Sequence, residues 1–458
     1  MGKAADSGNL FIKDFRHSLM ALVIPIALQS FISAAINSAD IIMLGTVSQS
    51  AMSAISLAGQ ITFVIMFFYM GLTIGAGTLT AQYWGKNDVA VIRRVLSIAC
   101  IFSSAVSFIF FIASFCLPAS LMRVFTNDIE LISYGSKYLQ VLSFSYLVMG
   151  LSQMYLSVVR SMEKARFSAF VSSASLLMNI ALNALCIFIL FPGQPEKTII
   201  GVAVATIIAR LVELGCCIVH SLRSGNIYFS LPELDKIQKL LIQDYLRYTI
   251  PALANYIVYG AALAASTAII GHVSSDMVAA NAVAGVVRNL SSVLCRGIAG
   301  GGSVLIGKYL GNGDIQSAKK AGIKIYIYAL FFGILACITV LLLISPVLNI
   351  VSLNASARGY LEVMLIISAV FCISKSLNST IIGGVFCAGG DAKFGFICDA
   401  IVMWVIIIPL AWLCAFVWQV PPVYLYIVIC FDEAIKTPVA IIRFCQYHWL
   451  KNITRDLS

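Results

Sequence analysis

Charged side chains are scarce in this sequence of 458 residues. Asp, Glu, Lys and Arg make up 11% of the residues, hydrophobic residues make up 60%, and the mean hydropathy is +0.96. Soluble globular proteins carry about 25% charged residues. A water-exposed fold of this length could not bury so much apolar surface, so the scarcity of charge excludes a soluble protein and predicts one that lies in a lipid bilayer.

Metal, disulfide and catalytic motifs are also missing. The 13 cysteines are scattered and no two of them form a Cys-x-x-Cys pair, which favours reduced thiols over a zinc or disulfide framework. The four histidines are dispersed and no nucleophile–base arrangement stands out, so we expect neither an enzyme nor a cofactor. The net charge of +10 is not gathered into a basic groove with interleaved aromatics, so we expect no nucleic-acid partner.

Long apolar runs are what the sequence does have. A membrane-spanning helix needs about 20 consecutive, mostly apolar residues, and the sequence contains twelve such segments. They lie near 18–44, 53–81, 94–117, 131–157, 168–191, 199–221, 245–270, 277–308, 321–346, 360–385, 395–418 and 423–446. The pattern therefore predicts an all-α polytopic membrane protein with twelve transmembrane helices.

Lys and Arg lie mainly in the loops on one side of these segments. The loops after predicted spans 2, 4, 6, 8 and 10 include Lys86, Arg160, Arg223, Lys308 and Lys393, whereas the opposite loops are poor in both residue types. An excess of Lys and Arg marks the cytoplasmic side. We therefore expect a multi-pass protein of the cell (inner) membrane, surrounded by the lipid bilayer, with both termini in the cytoplasm.

The sequence repeats itself with a shift of 226 residues. Pro25 then falls on Pro251, Asp88 falls on Asp314, and the Gly residues at 45, 71 and 75 fall on those at 271, 297 and 301. Each half holds six predicted spans, and an even number gives both halves the same orientation. The expected fold is therefore two parallel six-helix repeats (6+6).

This pattern predicts five regions along the chain. They are a cytoplasmic N-terminal segment (1–17), an N-lobe with spans 1–6 (18–221), a cytoplasmic inter-lobe linker (222–244), a C-lobe with spans 7–12 (245–446) and a cytoplasmic tail (447–458). In the linker, Leu234, Ile237, Leu240 and Leu241 recur at helical spacing, which predicts an amphipathic helix at the membrane surface.

Several stretches, in this order, resemble the multidrug and toxic compound extrusion (MATE) transporters of bacteria along nearly the full length. They are Pro25 with the following NSADIIMLG, then GAGTLTAQYWGKND, RSMEKARF, MNIALNALCIF and DEAIKTPVAIIRFCQYHWLKNITR. The resemblance implies a secondary active multidrug exporter that antiports small organic cations or amphiphilic drugs against inward H⁺ or Na⁺. It implies alternating access of two lobes, and we expect a monomer.

Asp40 is the only Asp, Glu, Lys, Arg or His residue between His17 and Lys86. A charge at membrane depth is unfavourable by about 2.5–3.5 kcal/mol, and such residues usually face a cavity and serve a function. The position matches the first-span aspartate of the MATE family, which implies a coupling-ion site. A carboxylate there can take up a proton or hold Na⁺, and we expect no other metal.

Asn179, Asn183 and Thr206 are the expected partners of Asp40. The two asparagines are spaced i, i+4 and so share one helix face. Their amide oxygens and the threonine hydroxyl could coordinate a hard cation, but interhelical hydrogen bonding alone is an open alternative. The family pattern in span 5 is Asn-x-x-x-Asp or Asn-x-x-x-Asn; this chain has the second form, which leaves one formal negative charge and favours protons.

Four further residues are assigned to the cavity wall or to orienting Asp40: Ser33, Asn37, Arg210 and Tyr259. Asn37 precedes Asp40 by three residues, and Arg210 either pairs with Glu213 at i+3 or points into the cavity. Tyr259 stands where some family members carry a seventh-span glutamate, so we expect no second acidic site there.

Cations in the second half leave an alternative function open. Arg288, Arg296 and Lys375, together with Arg210, could line the cationic cavity of a related flippase for lipid-linked sugars or similar amphiphiles. Asp432 and Lys436 in span 12 are spaced i, i+4, and we expect them to form a structural ion pair.

Pro25 interrupts the first predicted span. A proline inside a helix removes one hydrogen bond and permits a bend. We hypothesise that ion uptake at Asp40 bends the span around Pro25 and narrows the N-lobe cavity. Pro251 occupies the same place in the second repeat, so the proline could equally be a feature of the fold alone.

Overall fold

The computed structural model describes residues 2–45, 48–224, 239–351 and 353–456. Within these ranges the side chains of residues 2–13, 37–42, 44, 45, 49, 224 and 275 are outside the description. Residues 225–238 of the inter-lobe linker predicted at 222–244 therefore lie outside the described residues. Leu234 and Ile237 of the predicted amphipathic helix are among them, whereas Leu240 and Leu241 lie in the helix that begins at Lys239.

Helices account for nearly all of the described chain. In the first half they are α1 (Gly2–Gly45), α2 (Gln49–Gly85), α3 (Val89–Cys116), α4 (Pro118–Arg123), α5 (Ile129–Ser161), α6 (Ala165–Ala184) and α7 (Pro195–Ser224). In the second half they are α8 (Lys239–Val273), α9 (Ser275–Ser291), α10 (Val293–Gly311), α11 (Ile315–Ile350), α12 (Ala355–Asn378), α13 (Ala392–Ala400), α14 (Ile408–Trp412), α15 (Pro422–Cys430) and α16 (Asp432–Cys445).

These helices group into spans that follow the predicted apolar runs. Ten described segments are long and apolar enough to cross a membrane, and α9 with α10 makes an eleventh span that bends by 45°. Helices α15 and α16 are separated by one residue and together cover the predicted twelfth segment.

Wider π-helical turns interrupt three of the spans. They cover Leu185–Leu190, Ser379–Phe386 and two segments of span 11, Ile401–Ile407 and Leu413–Val417. The first three begin one or two residues after a buried polar side chain, namely Asn183, Asn378 and Asp399. Since π-helical turns occur frequently at functional sites, they draw attention to these three positions.

Contacts divide the described chain into two compact units. One unit contains the residues up to Ser30 together with Ile250–Asp456, and the other contains Phe31–Thr249. The first part of α1 therefore packs with helices of the second half, whereas its remainder belongs with the first half. The lobe boundaries at 18–221 and 245–446 stay a prediction.

Glycines permit the close packing of α1 in its unit. A Cβ atom added at Gly297 of α10 would lie 2.9 Å from the Val23 carbonyl oxygen, and one at Gly301 would lie 3.1 Å from a Val23 methyl group. Small residues let two membrane helices approach this closely. Two of the glycines that mark the sequence repeat thus have a packing role in α10.

The repeat also shows in the loops that join spans 2 and 3 and spans 8 and 9. Asp88 and Asp314 each accept a hydrogen bond from the main-chain N–H three residues later, at 3.1 and 2.9 Å. The residues before them, Asn87 and Gly313, both adopt the left-handed conformation, with φ of 61° and 77°. Both halves therefore build this turn in the same way.

The residues after α16 are packed rather than extended into solvent. Trp449 is fully buried, its indole N–H donates to the Phe444 carbonyl oxygen at 3.1 Å, and its ring stacks on that of Phe444. Gly322 and Gly389 face Trp449 so closely that a Cβ atom at either position would collide with it. The start of the predicted tail therefore packs against the ends of spans 9, 10 and 12.

Candidate ion and substrate sites

Asn179, Asn183 and Thr206 meet inside the first-half unit, and we call them the amide cluster. The Asn179 amide donates to the Thr206 hydroxyl at 3.1 Å, and the Asn183 amide reaches the Asn179 oxygen at 3.5 Å. Thr206 in turn donates to the Val202 carbonyl oxygen of its own helix at 3.0 Å. Asn183 is buried, and Asn179 and Thr206 are half-buried, so the cluster is partly enclosed by the unit.

The remaining N-lobe predictions cannot all be placed. The side chains of Asn37 and Asp40 lie outside the described residues, so only their helical backbone in α1 is known. Ser33 is half-buried on the same helix. The distance from Asp40 to the amide cluster therefore stays a prediction.

Arg210 is engaged by an acid on its own helix. Its guanidinium lies 2.7 Å from a Glu213 carboxylate oxygen, and Gln153 donates to the other oxygen at 3.2 Å. The Glu213 side chain is fully buried and both of its oxygens have partners. Of the two roles open to Arg210, the described geometry shows the ion pair.

The second-half unit contains a larger group of charges, which we call the lysine cluster. The Lys436 ammonium lies 2.9 Å from Asp432, 3.0 Å from Asp399 and 3.8 Å from Glu433, and its side chain is 3% exposed. The expected Asp432–Lys436 pair is present, but it belongs to a set of three carboxylates around one ammonium. The ammonium thus supplies the counter-charge shared by the three carboxylates.

Neutral side chains complete the lysine cluster. Asn378 donates to both the carbonyl oxygen and a carboxylate oxygen of Glu433, at 2.8 and 2.9 Å. The Tyr259 ring lies 5.3 Å from the Lys436 nitrogen, within cation–π range. Tyr259, predicted as a wall or orienting residue, therefore contacts this cluster.

A second polar group of the same unit is built around Arg288. Its guanidinium donates to the Tyr426 hydroxyl at 2.6 Å and to the Asn281 amide oxygen at 3.4 Å. The Tyr426 hydroxyl also lies 3.1 Å from that of Ser368. Helices α9, α12 and α15 thus meet through one arginine and two hydroxyl groups.

Asp399 and Asn378 were not among the sequence predictions. The signal for Asp399 was available, because it is a carboxylate within the apolar run of span 11, as Asp40 is in span 1. Asn378 offered a weaker signal, since a single amide next to Ser and Thr residues is common in membrane helices. Neither signal reveals that Asp399 pairs with Lys436 and that Asn378 donates to Glu433.

Comparisons with known proteins agree with this architecture. The family model MatE matches residues 25–185 and 251–413. An uncharacterized transporter of Bacillus subtilis, YisQ, is 25% identical over 87% of this chain and 88% of its own length. A probable multidrug resistance protein of Thermotoga maritima, NorM, is 22% identical over 97% of this chain and 96% of its own length.

A solved structure shares the fold over almost the whole chain. It is the outward-facing conformation of a multidrug resistance MATE family transporter of the MOP superfamily, with a TM-score of 0.85 and 17% identity. The alignment covers 94% of this chain and 95% of that one. The predicted fold of twelve transmembrane helices in two six-helix repeats is confirmed. The chain therefore belongs to the MatE family of multidrug and toxic compound extrusion transporters, and it is a membrane transporter rather than an enzyme.

Proposed function

We propose that this protein exports small organic cations or amphiphilic drugs across the cell (inner) membrane in exchange for H⁺ or Na⁺. The observation that carries the proposal is the amide cluster. Asn179, Asn183 and Thr206 gather amide and hydroxyl groups inside the first-half unit, at hydrogen-bond distances of 3.1 and 3.5 Å. Family membership and the multidrug resistance names of relatives support the same function.

Asp40 is the proposed carrier of the coupling ion. A carboxylate near neutral amide and hydroxyl oxygens can take up a proton or bind Na⁺. The amide cluster adds no second carboxylate, which favours H⁺ over Na⁺. In this proposal, ion uptake at Asp40 weakens drug binding, a bend at Pro25 accompanies it, and alternating access of the two lobes releases the drug outside.

Transport by the purified, reconstituted full-length chain tests the proposal. Proteoliposomes would be loaded with rhodamine 6G, a cationic dye, and its movement followed under separate H⁺ and Na⁺ gradients. We expect Asp40→Asn to abolish gradient-driven transport, while Asp128→Asn, which changes an exposed carboxylate, transports as the wild type does. The proposal would be wrong if the H⁺ or Na⁺ gradient drove dye transport equally well in the wild type and in Asp40→Asn.

A second candidate function is transfer of lipid-linked sugars or related amphiphiles between leaflets. It is favoured by Arg288, Arg296 and Lys375, which have no carboxylate within ion-pair distance among the described side chains. Expression in cells with a conditional defect in cell-wall lipid export separates the two functions. Rescue of growth supports the flippase, whereas raised tolerance to cationic dyes without rescue supports the exporter.

We also propose that the protein works as a monomer with both termini in the cytoplasm. The loops rich in Lys and Arg support this orientation. Cysteine accessibility from either side of the membrane would test it.

A further inference from the structure

We propose that the second-half unit contains an oxyanion site anchored by Arg288, which binds the carboxylate or phosphate group of an amphiphilic ligand. The proposal builds on the transport function above, because it names a chemical group of the cargo or of a lipid that occupies the same unit. Four observations carry it. The Arg288 guanidinium keeps N–H donors without a partner among the described residues, other cations lie nearby, the buried acids described there are paired with other cations, and span 8 bends next to Arg288.

The Arg288 guanidinium is held in place by hydrogen bonds that use only some of its N–H donors. It has five N–H donors, and the structure shows bonds from Nη1 to Tyr426 and from Nη2 to Asn281. Both partners are neutral, so the positive charge is oriented without being neutralised. The residue is half-buried, whereas Tyr426 and Ser368 beneath it are almost fully buried.

Two more cations extend the positive region. The Cys372 and Cys430 thiols lie within electrostatic range of both Arg288 and Lys375, and the Cys295 thiol lies within range of Arg296 and Lys375. Lys375 is half-buried and makes no side-chain hydrogen bond or ion pair with a described residue. Arg296 is held by the Ser292 hydroxyl at 3.3 Å and the Asn289 carbonyl oxygen at 3.0 Å.

The buried acids described in this unit are paired with other cations. Asp399, Asp432 and Glu433 surround Lys436, and Asp391 binds Arg443 through both of its oxygens, at 3.0 and 3.3 Å. Within the described part of the chain, Arg288, Arg296 and Lys375 form no ion pair, although Lys375 lies within electrostatic range of Asp432 and Glu433. Two arginines at membrane depth without an ion-pair partner, Arg288 and Arg296, are unfavourable unless they face water or a ligand of opposite charge.

The backbone places Arg288 at a break in its span. Helices α9 and α10 meet at Ser292 with a bend of 45°, and Arg288 and Arg296 lie four residues before and after it. Arg288 follows Asp276 by twelve residues, or about 18 Å along the helix, which is near the middle of the bilayer. Broken helices at this depth are where transporters build substrate sites, and the planar guanidinium fits the two oxygens of a carboxylate or phosphate.

A matched pair of dyes tests the proposal. Rhodamine B and its ethyl ester share the same cationic ring system and differ in one carboxylate. Their binding to the full-length protein in phosphatidylcholine nanodiscs would be measured by fluorescence anisotropy without any ion gradient, with empty nanodiscs as background. We expect the wild type to bind the acid about tenfold more tightly than the ester, the effect of one charged hydrogen-bonded contact.

Variants show which side chains cause the tighter binding of rhodamine B than of its ester. Arg288→Gln and Lys375→Gln are each expected to remove most of it, and Arg288→Lys to keep part of it, because the charge remains without the planar fork. Arg358→Gln changes an exposed arginine of the same unit and is expected to keep the full preference. Lys375→Gln tests the same preference at a side chain that makes no described hydrogen bond, and an unchanged melting temperature would show that losing its charge near Asp432 and Glu433 leaves the fold intact.

Replacing part of the phosphatidylcholine by phosphatidylglycerol identifies the source of the oxyanion. Weaker rhodamine B binding in the wild type but not in Arg288→Gln supports the site with a lipid phosphate as its occupant. An unchanged preference supports the site with a transported organic anion. Equal affinity of the wild type for acid and ester, or a preference that survives both Gln variants, overturns the proposal. Export of the ester under an H⁺ gradient is read separately, so failure of the anion site leaves the exporter function intact.

Discussion

The Lys436 ammonium and the Asp399 carboxylate lie 3.0 Å apart on two different membrane spans, and both side chains are almost fully buried. Asp432 and Glu433 share the same ammonium. Removing one member of a buried ion pair leaves an uncompensated charge, which costs about 3–5 kcal/mol. Span 12 is thus tied to span 11 by a contact that cannot be broken at one end without penalty.

Lys436→Met is therefore expected to destabilise the protein by about 3–5 kcal/mol. It would leave three buried carboxylates without their central cation. The measurement is the apparent melting temperature of the purified protein in detergent. Lys197→Met, which removes an exposed lysine, is the control and is expected to leave the melting temperature unchanged. Adding Asp432→Asn to Lys436→Met should recover part of the loss; a double variant no more stable than the single one would contradict this account.

Gly297→Ala is expected to destabilise the unit that contains the start of α1, by about 1–3 kcal/mol, the usual cost of overpacking. The added methyl group would lie 2.9 Å from the Val23 carbonyl oxygen, and that backbone atom cannot rotate away. Gly215→Ala is the matched control, because nothing lies within 4 Å of its added methyl group. It is expected to stabilise α7 by up to about 1 kcal/mol through helix propensity. Melting curves in which the two variants behave alike would argue against the close approach of α10 to α1.

Asp314 is expected to make stability depend on pH below neutrality. Its carboxylate accepts hydrogen bonds from the Ser317 side chain and main-chain N–H, which hold the pKa of Asp314 below its ordinary value. A carboxyl group with a lowered pKa in the folded state stabilises the protein fully above its ordinary pKa of about 3.9, and the contribution is lost as the pH falls through the lowered value.

The corresponding experiment compares Asp314→Ala with the wild type. At pH 7 the variant is expected to be about 1 kcal/mol less stable through loss of the helix cap. The difference in melting temperature should shrink as the pH is lowered past the pKa of the carboxyl group. Asp314→Asn keeps a cap oxygen and should show a smaller loss at pH 7. A gap between Asp314→Ala and the wild type that stays constant down to acidic pH would rule out this role.

Asn183→Asp is expected to change the coupling ion of the proposed exporter. The substitution places a carboxylate in the amide cluster, where Asn183 is buried beside Asn179, and so gives the proposed ion site a second carboxylate besides Asp40. An added attraction of about 1.4 kcal/mol would strengthen Na⁺ binding about tenfold. Dye transport in proteoliposomes should then respond to an Na⁺ gradient more strongly than in the wild type.

Asn183→Leu serves as the companion variant. It removes the amide without adding charge and is expected to weaken transport under either gradient. If Asn183→Asp and Asn183→Leu gave the same response to Na⁺, the amide cluster would have no part in ion selection.

The sequence predicted the repeat well because the repeat depends on local backbone chemistry. The side chains of Asp88 and Asp314 cap helices by accepting a hydrogen bond from the main-chain N–H three residues later. Asn87 and Gly313 adopt the left-handed conformation, which their residue types tolerate. Such features need only a few neighbouring residues, so a shift of 226 positions reveals them directly.

The lysine cluster could not be predicted in the same way. Asp399 and Lys436 are 37 residues apart on separate spans, and spacing along one helix says nothing about which neighbour it faces. The i, i+4 rule therefore found Asp432 but missed Asp399 and Asn378. The amide cluster was predictable in part. The i, i+4 spacing of Asn179 and Asn183 was evident from the sequence, whereas the hydrogen bond to Thr206 depends on how α6 packs against α7.

Trp449 anchors the segment after the last helix to the rest of the second-half unit. Its indole packs against Gly322 and its main chain packs against Gly389, and neither glycine could carry a side chain there. A reporter protein can therefore be attached only beyond this tryptophan, and cleavage before it would leave a hole among the ends of three spans. Detachment of this segment would expose the Trp449 indole to solvent, and the fluorescence of a variant that keeps Trp449 and replaces the other four tryptophans by Phe would report it.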